Sequence, residues 1–245
     1  ITAARLGAVG AHGSCDGITK GRGRSPQNWA LMIGAKQFEI SLFKISPGID
    51  DGAVIATTTF ALNHCDTISS SYLKSSIAVA KIISSVCQNP VFIDQAVGQT
   101  GEIAYFPKRT PDDGVIDWNM PVIDIHNQIR ALADPYPNSF SSNDKFKLSI
   151  QRSLPIDCDV SCEPGTVVNV LSNGSFLIAG KDGMLLVDDY YLDDSRYKIV
   201  PGLKFKSVGI ADTANLIVER FRNEFPNKKI NQSLINFWAR NGVGF

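Results

Sequence analysis

An α/β fold followed by a small all-β module is predicted for this 245-residue chain, and three observations lead to it. Strand-like apolar runs alternate with helix-like segments over residues 5–110, which is typical of a parallel or mixed sheet covered by helices. A connector rich in proline, glycine and aspartate then breaks this pattern. Short strand-like runs separated by hairpin turns come after it, and they indicate a compact barrel.

Each element of the first part has its own signal. The run LGAVGAH is short and apolar, which predicts a strand buried on both faces that ends at His12. Ser25 and Pro26 are suited to the N-cap and first position of the helix that follows. FEISLFKI and AVIATTTFAL show strand patterns. A longer helix comes next, and we expect it to bury one face, formed by Leu73, Ile77, Ala80 and Ile83.

The second part opens with one amphipathic helix. Its apolar stripe consists of Val122, Ile125, Ile129 and Leu132, and the PYP segment ends it. Asn173-Gly174 and Asp182-Gly183 predict tight hairpins between the strands that follow, which favours a barrel-like, OB-like module. A polar helical tail closes the chain. The predicted units are residues 1–115, 116–208 and 209–245.

The composition narrows the choice of partners. The chain has 24 basic and 24 acidic residues, so a large polyanion is disfavoured as its main partner, although a local basic patch for tRNA stays compatible with this total. Five cysteines without a completed zinc pattern predict free thiols in a reducing cytoplasm and no metal site. No signal peptide or membrane-spanning run is visible, and a homo-oligomer is compatible with the sequence.

His12 and Asp50 are the candidate catalytic pair. His12 ends a predicted strand, and Asp50 and Asp51 lie in a turn between two apolar strands, so the imidazole and one carboxylate could converge at one end of a sheet. A carboxylate beside an imidazole orients the ring and prepares it for proton transfer near neutral pH. The alternatives are a structural histidine at position 12 and an Asx-type turn at Asp50-Asp51, the latter being the stronger explanation for Asp51.

The other chemistry-bearing residues have simpler explanations. His64 is predicted to be a loop residue, and His126 a packing or capping histidine on its helix. No dinucleotide fingerprint, phosphate-binding loop or nucleophilic elbow is present. Cys15 near His12 has little support as a nucleophile.

Several motifs, in order, resemble those of the tetrahydrofolate-dependent formyltransferases. They are HGS and KGRGRSPQNWAL, GIDDG, RTPDDGVIDW and HNQIRALADPYPNSF, within a resemblance that extends from about Leu6 to Asp188. This family includes methionyl-tRNA formyltransferase, the sugar N-formyltransferases and the formyltransferase half of the bifunctional polymyxin-resistance enzyme that acts on UDP-4-amino-arabinose. The RTPDDG segment looks closest to that last enzyme. The resemblance implies an incomplete Rossmann-like domain, because the family's first strands and helices, which supply much of the folate site, are expected to precede this chain.

The resemblance also implies a reaction and its residues. An amine attacks the formyl carbon of N10-formyltetrahydrofolate, the co-substrate, through a tetrahedral oxyanion. His12 would remove the amine proton or stabilise the oxyanion, with Asp50 as its partner. The implied binding residues are, for the folate, Gly10, Ser14, Ile49 and Gly52, and for the substrate, Arg22, Arg24, Pro26 and Arg109.

Two departures from the family pattern concern the region around His12. The family has asparagine two residues before the histidine, where this chain has Gly10, so a side-chain donor to the oxyanion is missing. The loop after the HGS motif is longer and lacks the family's proline, and we expect it to be more mobile.

Three functions follow as hypotheses. The first is formyl transfer to a primary amine of a nucleotide-linked amino sugar, and the second is methionyl-tRNA formylation. Neutral charge and the acidic DDYYLDD segment oppose the second. The third is a non-catalytic family member or binding module, which Gly10 favours.

Overall fold

Helices and strands alternate through the first half of the computed structural model, which describes residues 7–244. The strands are β1 (Val9–Ser14), β2 (Arg22–Gly23), β3 (Gln37–Lys44), β4 (Val54–Ala61), β5 (Ala104–Phe106), β6 (Ser139–Ser142), β7 (Lys147–Ile156), β8 (Val167–Val170), β9 (Phe176–Ala179), β10 (Met184–Leu192) and β11 (Lys229–Ile230). The helices are α1 (Gly17–Lys20), α2 (Pro26–Met32), α3 (Ile68–Gln88), α4 (Val91–Asp94), α5 (Val122–Ala131), α6 (Ile210–Glu224) and α7 (Gln232–Arg240), with a 3₁₀ turn at Pro111–Gly114.

The first half holds two small sheets of different type. Strands β1, β3 and β4 form an antiparallel sheet in that order, so the expectation of a parallel or mixed arrangement is wrong for these three strands. The reason is the connection between β3 and β4, which is a hairpin turn and not a crossover helix. Strands β11, β5 and β2 pair in parallel. The α/β class is confirmed, whereas the incomplete Rossmann-like arrangement stays a prediction.

Strand β1 differs from its predicted form in two ways. It continues through His12 to Ser14, and its Val9 and Ala11 are exposed, so it is not a strand buried on both faces. It is the outermost strand of its sheet, because β3 alone pairs with it among residues 7–244. The predicted start of the run at Leu6 lies outside the described residues. An edge position leaves one side of β1 without a hydrogen-bonded neighbour in this part of the chain.

Helix α3 forms as predicted but buries a different face. Thr67 and Ser70 cap its start by exchanging hydrogen bonds between side chain and backbone. The buried positions are Ile68, Ser71, Ala78, Ile82 and Val86. The four residues that we expected to be buried are exposed. They are Leu73, which is 63% exposed, Ile77, Ala80 and Ile83. The phase is shifted because serine lies on the packed face, where Ser71 and Ser75 accept hydrogen bonds from Gln27 at 2.6 and 2.8 Å.

Helix α5 is confirmed together with its buried stripe. Val122, Ile125, Ile129 and Leu132 are all buried within the main apolar core. At α2 the start is confirmed at Pro26, but Ser25 adopts a left-handed conformation (φ 52°) and makes no capping hydrogen bond with its side chain. Proline at the first position sets the helical φ without a cap.

The β module is a five-stranded antiparallel sheet with strand order β6-β7-β10-β9-β8. Asn173-Gly174 connects β8 with β9 and Asp182-Gly183 connects β9 with β10, so both predicted hairpins are confirmed. The description of this module as OB-like stays a prediction.

The helical tail packs on the first half of the chain. Trp238 of α7 meets Trp29 of α2 edge to face, with ring centroids 6.0 Å apart. Arg220 of α6 forms an ion pair with the buried carboxylate of Asp113. One apolar core therefore includes residues from all three predicted units, whose boundaries stay predictions. Among the described residues, no helix combines the length and apolar character that a membrane span requires.

Candidate functional site

His12 and Asp50 are brought together by the pairing of β1 with β3. His12 lies opposite Ser41, and the start of β1 lies beside Lys44, the last residue of β3. The turn that follows β3 carries Asp50 back over β1. The Nδ1 atom of His12 is 3.3 Å from Oδ2 of Asp50, and both side chains are largely buried, with exposed fractions of 11% and 25%. We expected this convergence at one end of a parallel or mixed sheet, but the antiparallel pairing of β1, β3 and β4 produces it.

The turn that carries Asp50 has a constrained backbone. Asp50 adopts a left-handed conformation with φ of 50°, which costs free energy for a residue with a side chain. Gly52 must be glycine, because a Cβ atom there would lie 1.6 Å from the carbonyl oxygen of Lys44. Asp51 points elsewhere and accepts a hydrogen bond from Ser46. The two adjacent aspartates therefore have separate contacts, and only Asp50 meets His12.

The second ring nitrogen of His12 contacts the loop that contains α1. Its Nε2 atom is 2.8 Å from the carbonyl oxygen of Gly21. Each ring nitrogen thus faces an oxygen acceptor, and the ring donates to both only when it carries two protons. Asn231 of the tail supports this loop, since its Nδ2 atom donates to the Oδ2 atom of Asp16 and to the carbonyl of Lys20, both at 2.8 Å.

Four residues were predicted for the folate, and they divide into two groups. Ile49 is exposed beside Asp50, and Gly52 closes the same turn. Ser14 is 1% exposed and lies under Gly21, whose hypothetical Cβ would come within 1.7 Å of the serine oxygen. Gly10 also faces protein, namely the ring of Phe43. Only the Ile49 side chain is open to a ligand in this arrangement.

Gly10 lies opposite Phe43 in the antiparallel pairing of β1 and β3. A Cβ atom at position 10 would be 2.8 Å from Cζ of the Phe43 ring, which is closer than real Cβ contacts allow. Phe43 is buried, so its ring occupies the space that an asparagine side chain would need. The departure at Gly10 is therefore coupled to the residue on the neighbouring strand.

The predicted substrate-binding residues lie in different environments. Arg24 is exposed, and Pro26 begins α2 with a partly exposed side chain. Arg22 is 5% exposed and donates to the side chain of Gln99 at 2.7 Å. Gln99 in turn donates to the backbone of the Asp50 turn, a contact for which the sequence carries no motif.

Arg109 contacts residues of α2 and of the 3₁₀ turn. Its guanidinium donates to the Asp113 carbonyl at 2.8 Å and to the Met32 sulfur at 2.7 Å, and it lies 4.7 Å from the Trp29 ring centroid. Burial lowers the pKa of Arg109 to about 10. Such a group carries its charge at neutral pH, but its described contacts are all within the chain.

The remaining candidate residues follow their simpler explanations. His64 is exposed in a loop, and His126 is buried between the His64 carbonyl (3.0 Å) and the Ser153 hydroxyl (3.3 Å). Burial raises the pKa of the Cys15 thiol to about 12, with the charge of Asp16 adding to it, so this thiol is a poor nucleophile. Within residues 7–244, no three His, Cys, Asp or Glu side chains form a group that could hold a metal ion.

Comparison with known proteins supplies independent information. Residues 108–199 match the family described as Formyl transferase, C-terminal domain. The bifunctional polymyxin resistance protein ArnA of Wigglesworthia glossinidia brevipalpis is 34% identical over 169 residues, which is 67% of this chain and 25% of that protein. The chain therefore spans a quarter of the length of this curated relative.

Solved structures show a similar fold. The structure of HypX from Aquifex aeolicus in complex with tetrahydrofolic acid matches 91% of this chain and 36% of its own, with 19% identity and a TM-score of 0.61. The N-formyltransferase from Helicobacter canadensis, in complex with folinic acid and dTDP-3-aminofucose, matches 74% of this chain and 66% of its own, with 19% identity and a TM-score of 0.56. These two structures show that the fold is similar. The identity with ArnA and the matched C-terminal domain confirm the resemblance that the motifs predicted, and the chain belongs to the formyltransferase family.

Proposed function

We propose that this chain takes part in formyl transfer from N10-formyltetrahydrofolate to a primary amine of a nucleotide-linked amino sugar. The observation that carries the proposal is the 3.3 Å approach of His12 Nδ1 to Asp50 Oδ2 between two largely buried side chains. The relatives support the choice of substrates, since one is described in complex with tetrahydrofolic acid and another with folinic acid and dTDP-3-aminofucose.

In this proposal His12 receives the proton that the amine loses. Asp50 holds the ring from its Nδ1 side and stabilises the imidazolium that proton transfer produces. The Nε2 side then serves the substrate, which requires Nε2 to exchange its contact with the Gly21 carbonyl for the amine. The amine nitrogen bonds to the formyl carbon of the folate co-substrate and the bond between that carbon and N10 breaks. Tetrahydrofolate leaves, and its N10 takes up the proton that His12 received.

The residues around the pair fit a folate in part. Ile49 is 54% exposed on the turn next to Asp50 and offers an apolar surface to a flat ring. Ser14 and Gly10 are covered by the chain itself, so we do not assign them a contact with the folate. On the substrate side, Arg24 is the predicted arginine that is open to a phosphate group.

A second candidate is a non-catalytic binding member of the family. It is favoured by Gly10 and by the Phe43 ring that fills the neighbouring space. One lost oxyanion donor raises a barrier by about 3–4 kcal/mol, which is enough to lower turnover greatly without removing the fold.

The experiment is a transfer assay with full-length protein, N10-formyltetrahydrofolate and either a UDP- or dTDP-linked 4-amino sugar or methionyl-tRNA. We expect formylation of the sugar, a loss of about a hundredfold or more in His12→Asn, and no change in the matched control His64→Asn, which alters an exposed loop histidine. If only the tRNA is formylated, the substrate is the tRNA and not the amino sugar. Absence of transfer to any amine would favour the binding member, and an active His12→Asn would refute the pair.

A further inference from the structure

Gln99 joins the Asp50 turn to a buried arginine. Its Nε2 atom donates to the carbonyl oxygens of Asp50 and Gly52 at 2.7 and 2.9 Å, and its Oε1 atom accepts from Nη2 of Arg22 at 2.7 Å. Both amide hydrogens and the amide oxygen are therefore used. Because two carbonyls lie on one side and a guanidinium on the other, this orientation of the amide is the one that satisfies all three contacts.

Backbone pairing holds both the segment that carries Gln99 and the strand that carries Arg22. Val97 exchanges two backbone hydrogen bonds with Val54, at 2.8 and 2.9 Å, which fixes the segment that carries Gln99 against the start of β4. Arg22 belongs to β2 and pairs with Tyr105 of β5. Gln99 thus bridges the hairpin that contains Asp50 and the parallel sheet that contains Arg22.

The contacts of Gln99 act on the strained part of the turn. Asp50 has a φ of 50°, and such a conformation persists only where its surroundings hold it in place. The carbonyls of Asp50 and Gly52 are the backbone groups that Gln99 binds, one at the strained residue and one at the glycine that approaches Lys44. Movement of either carbonyl would move the Asp50 carboxylate relative to His12.

Arg22 depends on Gln99 in its turn. Its side chain is 5% exposed, its one side-chain hydrogen bond in the described part of the chain is to Gln99, and its Nε atom has no partner there. A buried guanidinium needs an acceptor, and the Gln99 oxygen provides it. This contact of Arg22 lies within the protein, and its predicted contact with substrate stays a prediction.

We propose that Gln99 is a positioning residue, which holds the Asp50 carboxylate against His12 and is itself oriented by Arg22. This inference rests on the proposed function only for its kinetic consequence. The geometric part, that Gln99 determines the contact between Asp50 and His12, stands without it.

The test uses full-length protein with Gln99→Met, which keeps the length of the side chain and removes its hydrogen bonds. We expect kcat for formyl transfer to fall about tenfold to a hundredfold, because a small displacement of a catalytic group costs rates of that size, while KM for both substrates stays unchanged. Gln99→Glu keeps the acceptor for Arg22 and loses the donors, so it should show the same loss. The matched control is Gln95→Met, at an exposed position near the end of α4.

A second readout is independent of turnover. The ¹⁵N resonances of His12, assigned with His12→Asn, should shift in Gln99→Met in the direction that Asp50→Asn produces, and stay in place in Gln95→Met. Arg22→Met should give a smaller loss than Gln99→Met, and the double variant should be no slower than Gln99→Met alone, since both residues act through one contact.

These readouts separate the two proposals. If the wild-type chain transfers no formyl group, the proposed function fails, and the His12 resonances still decide the role of Gln99. Unchanged His12 resonances in folded Gln99→Met and Gln99→Glu would overturn the positioning role. Lower stability without a change at His12 would also overturn it, because Gln99 would then be a structural residue only.

Discussion

The His12 ring and the Asp50 carboxylate meet at 3.3 Å, although 38 positions separate them (50 − 12) and they lie on different elements. Strand β1 contributes the histidine, and the turn between β3 and β4 contributes the aspartate. Antiparallel pairing of β1 with β3 is what places the turn over the ring. The contact depends on the register of those two strands.

The adjacent aspartates give a direct test of this contact. Asp50→Asn should lower kcat for formyl transfer by about a hundredfold or more, because the amide no longer stabilises a charged imidazole. Asp51→Asn should stay within about threefold of wild type, since Asp51 contacts Ser46 and not His12. Steady-state kinetics on both variants measure the difference, and equal losses would argue against a special role for Asp50.

The Phe43 ring predicts the effect of restoring asparagine at position 10. Gly10→Asn should lower the free energy of unfolding by about 1–3 kcal/mol, because its Cβ would overlap the end of the ring. Gly10→Asn combined with Phe43→Leu should recover most of that loss. Gly98→Asn is the control, because a Cβ there meets nothing within 4 Å. Urea unfolding measures all three, and a Gly10→Asn protein as stable as wild type would contradict the coupling.

The Cys15 thiol should resist alkylation. A pKa of about 12 in place of 9.0 leaves about a thousandth of the usual thiolate at pH near 8, and the thiolate is the reactive form. Iodoacetamide followed by peptide mass analysis should label the exposed Cys65, Cys87 and Cys162 at least about a hundredfold faster. Comparable rates at Cys15 in the folded protein would show that the thiol is not held as described.

His126 should make the protein less stable in mild acid. Burial lowers the pKa of His126 below its ordinary 6.5, so the unfolded chain binds this proton more readily than the folded one. The free energy of unfolding therefore begins to decrease as the pH falls through about 6.5, and it decreases by at most about 1.4 kcal/mol per pH unit. Urea unfolding between about pH 5 and pH 7.5 should show a flatter dependence in His126→Gln and an unchanged one in His64→Gln. An unchanged slope in His126→Gln would assign the acid sensitivity to other groups.

The sequence predicted the elements of this chain better than their partners. The stripe of α5 was predicted correctly, because all four of its apolar positions are buried, although the same helix also buries polar residues such as Asn127 and Gln128. For α3 the helix was right and the buried face was wrong, because Ser71 and Ser75 occupy packed positions that hydrogen bonds to Gln27 stabilise. Hydrophobic periodicity contains no information on such polar contacts.

The candidate site shows the same division. His12 and Asp50 could be named from their positions next to strands, and the structure brings them together. Gln99 could not be named, because a single glutamine in an irregular segment carries no pattern. Its partners are also distant in the sequence: Arg22 lies 77 residues before it and Asp50 lies 49 residues before it. Likewise, the burial of Arg22 depends on tertiary packing, which the local sequence GRGR does not specify.

The bond from Asn231 to Asp16 spans 215 residues, and it has a consequence for the order of synthesis. A chain made from its amino terminus exposes the loop after His12 early, but the residue that secures this loop emerges from the ribosome 215 residues after Asp16. Until then the loop that carries the Gly21 carbonyl to the imidazole lacks the two hydrogen bonds that Asn231 donates. A nascent chain can therefore contain both His12 and Asp50 long before it contains a finished site.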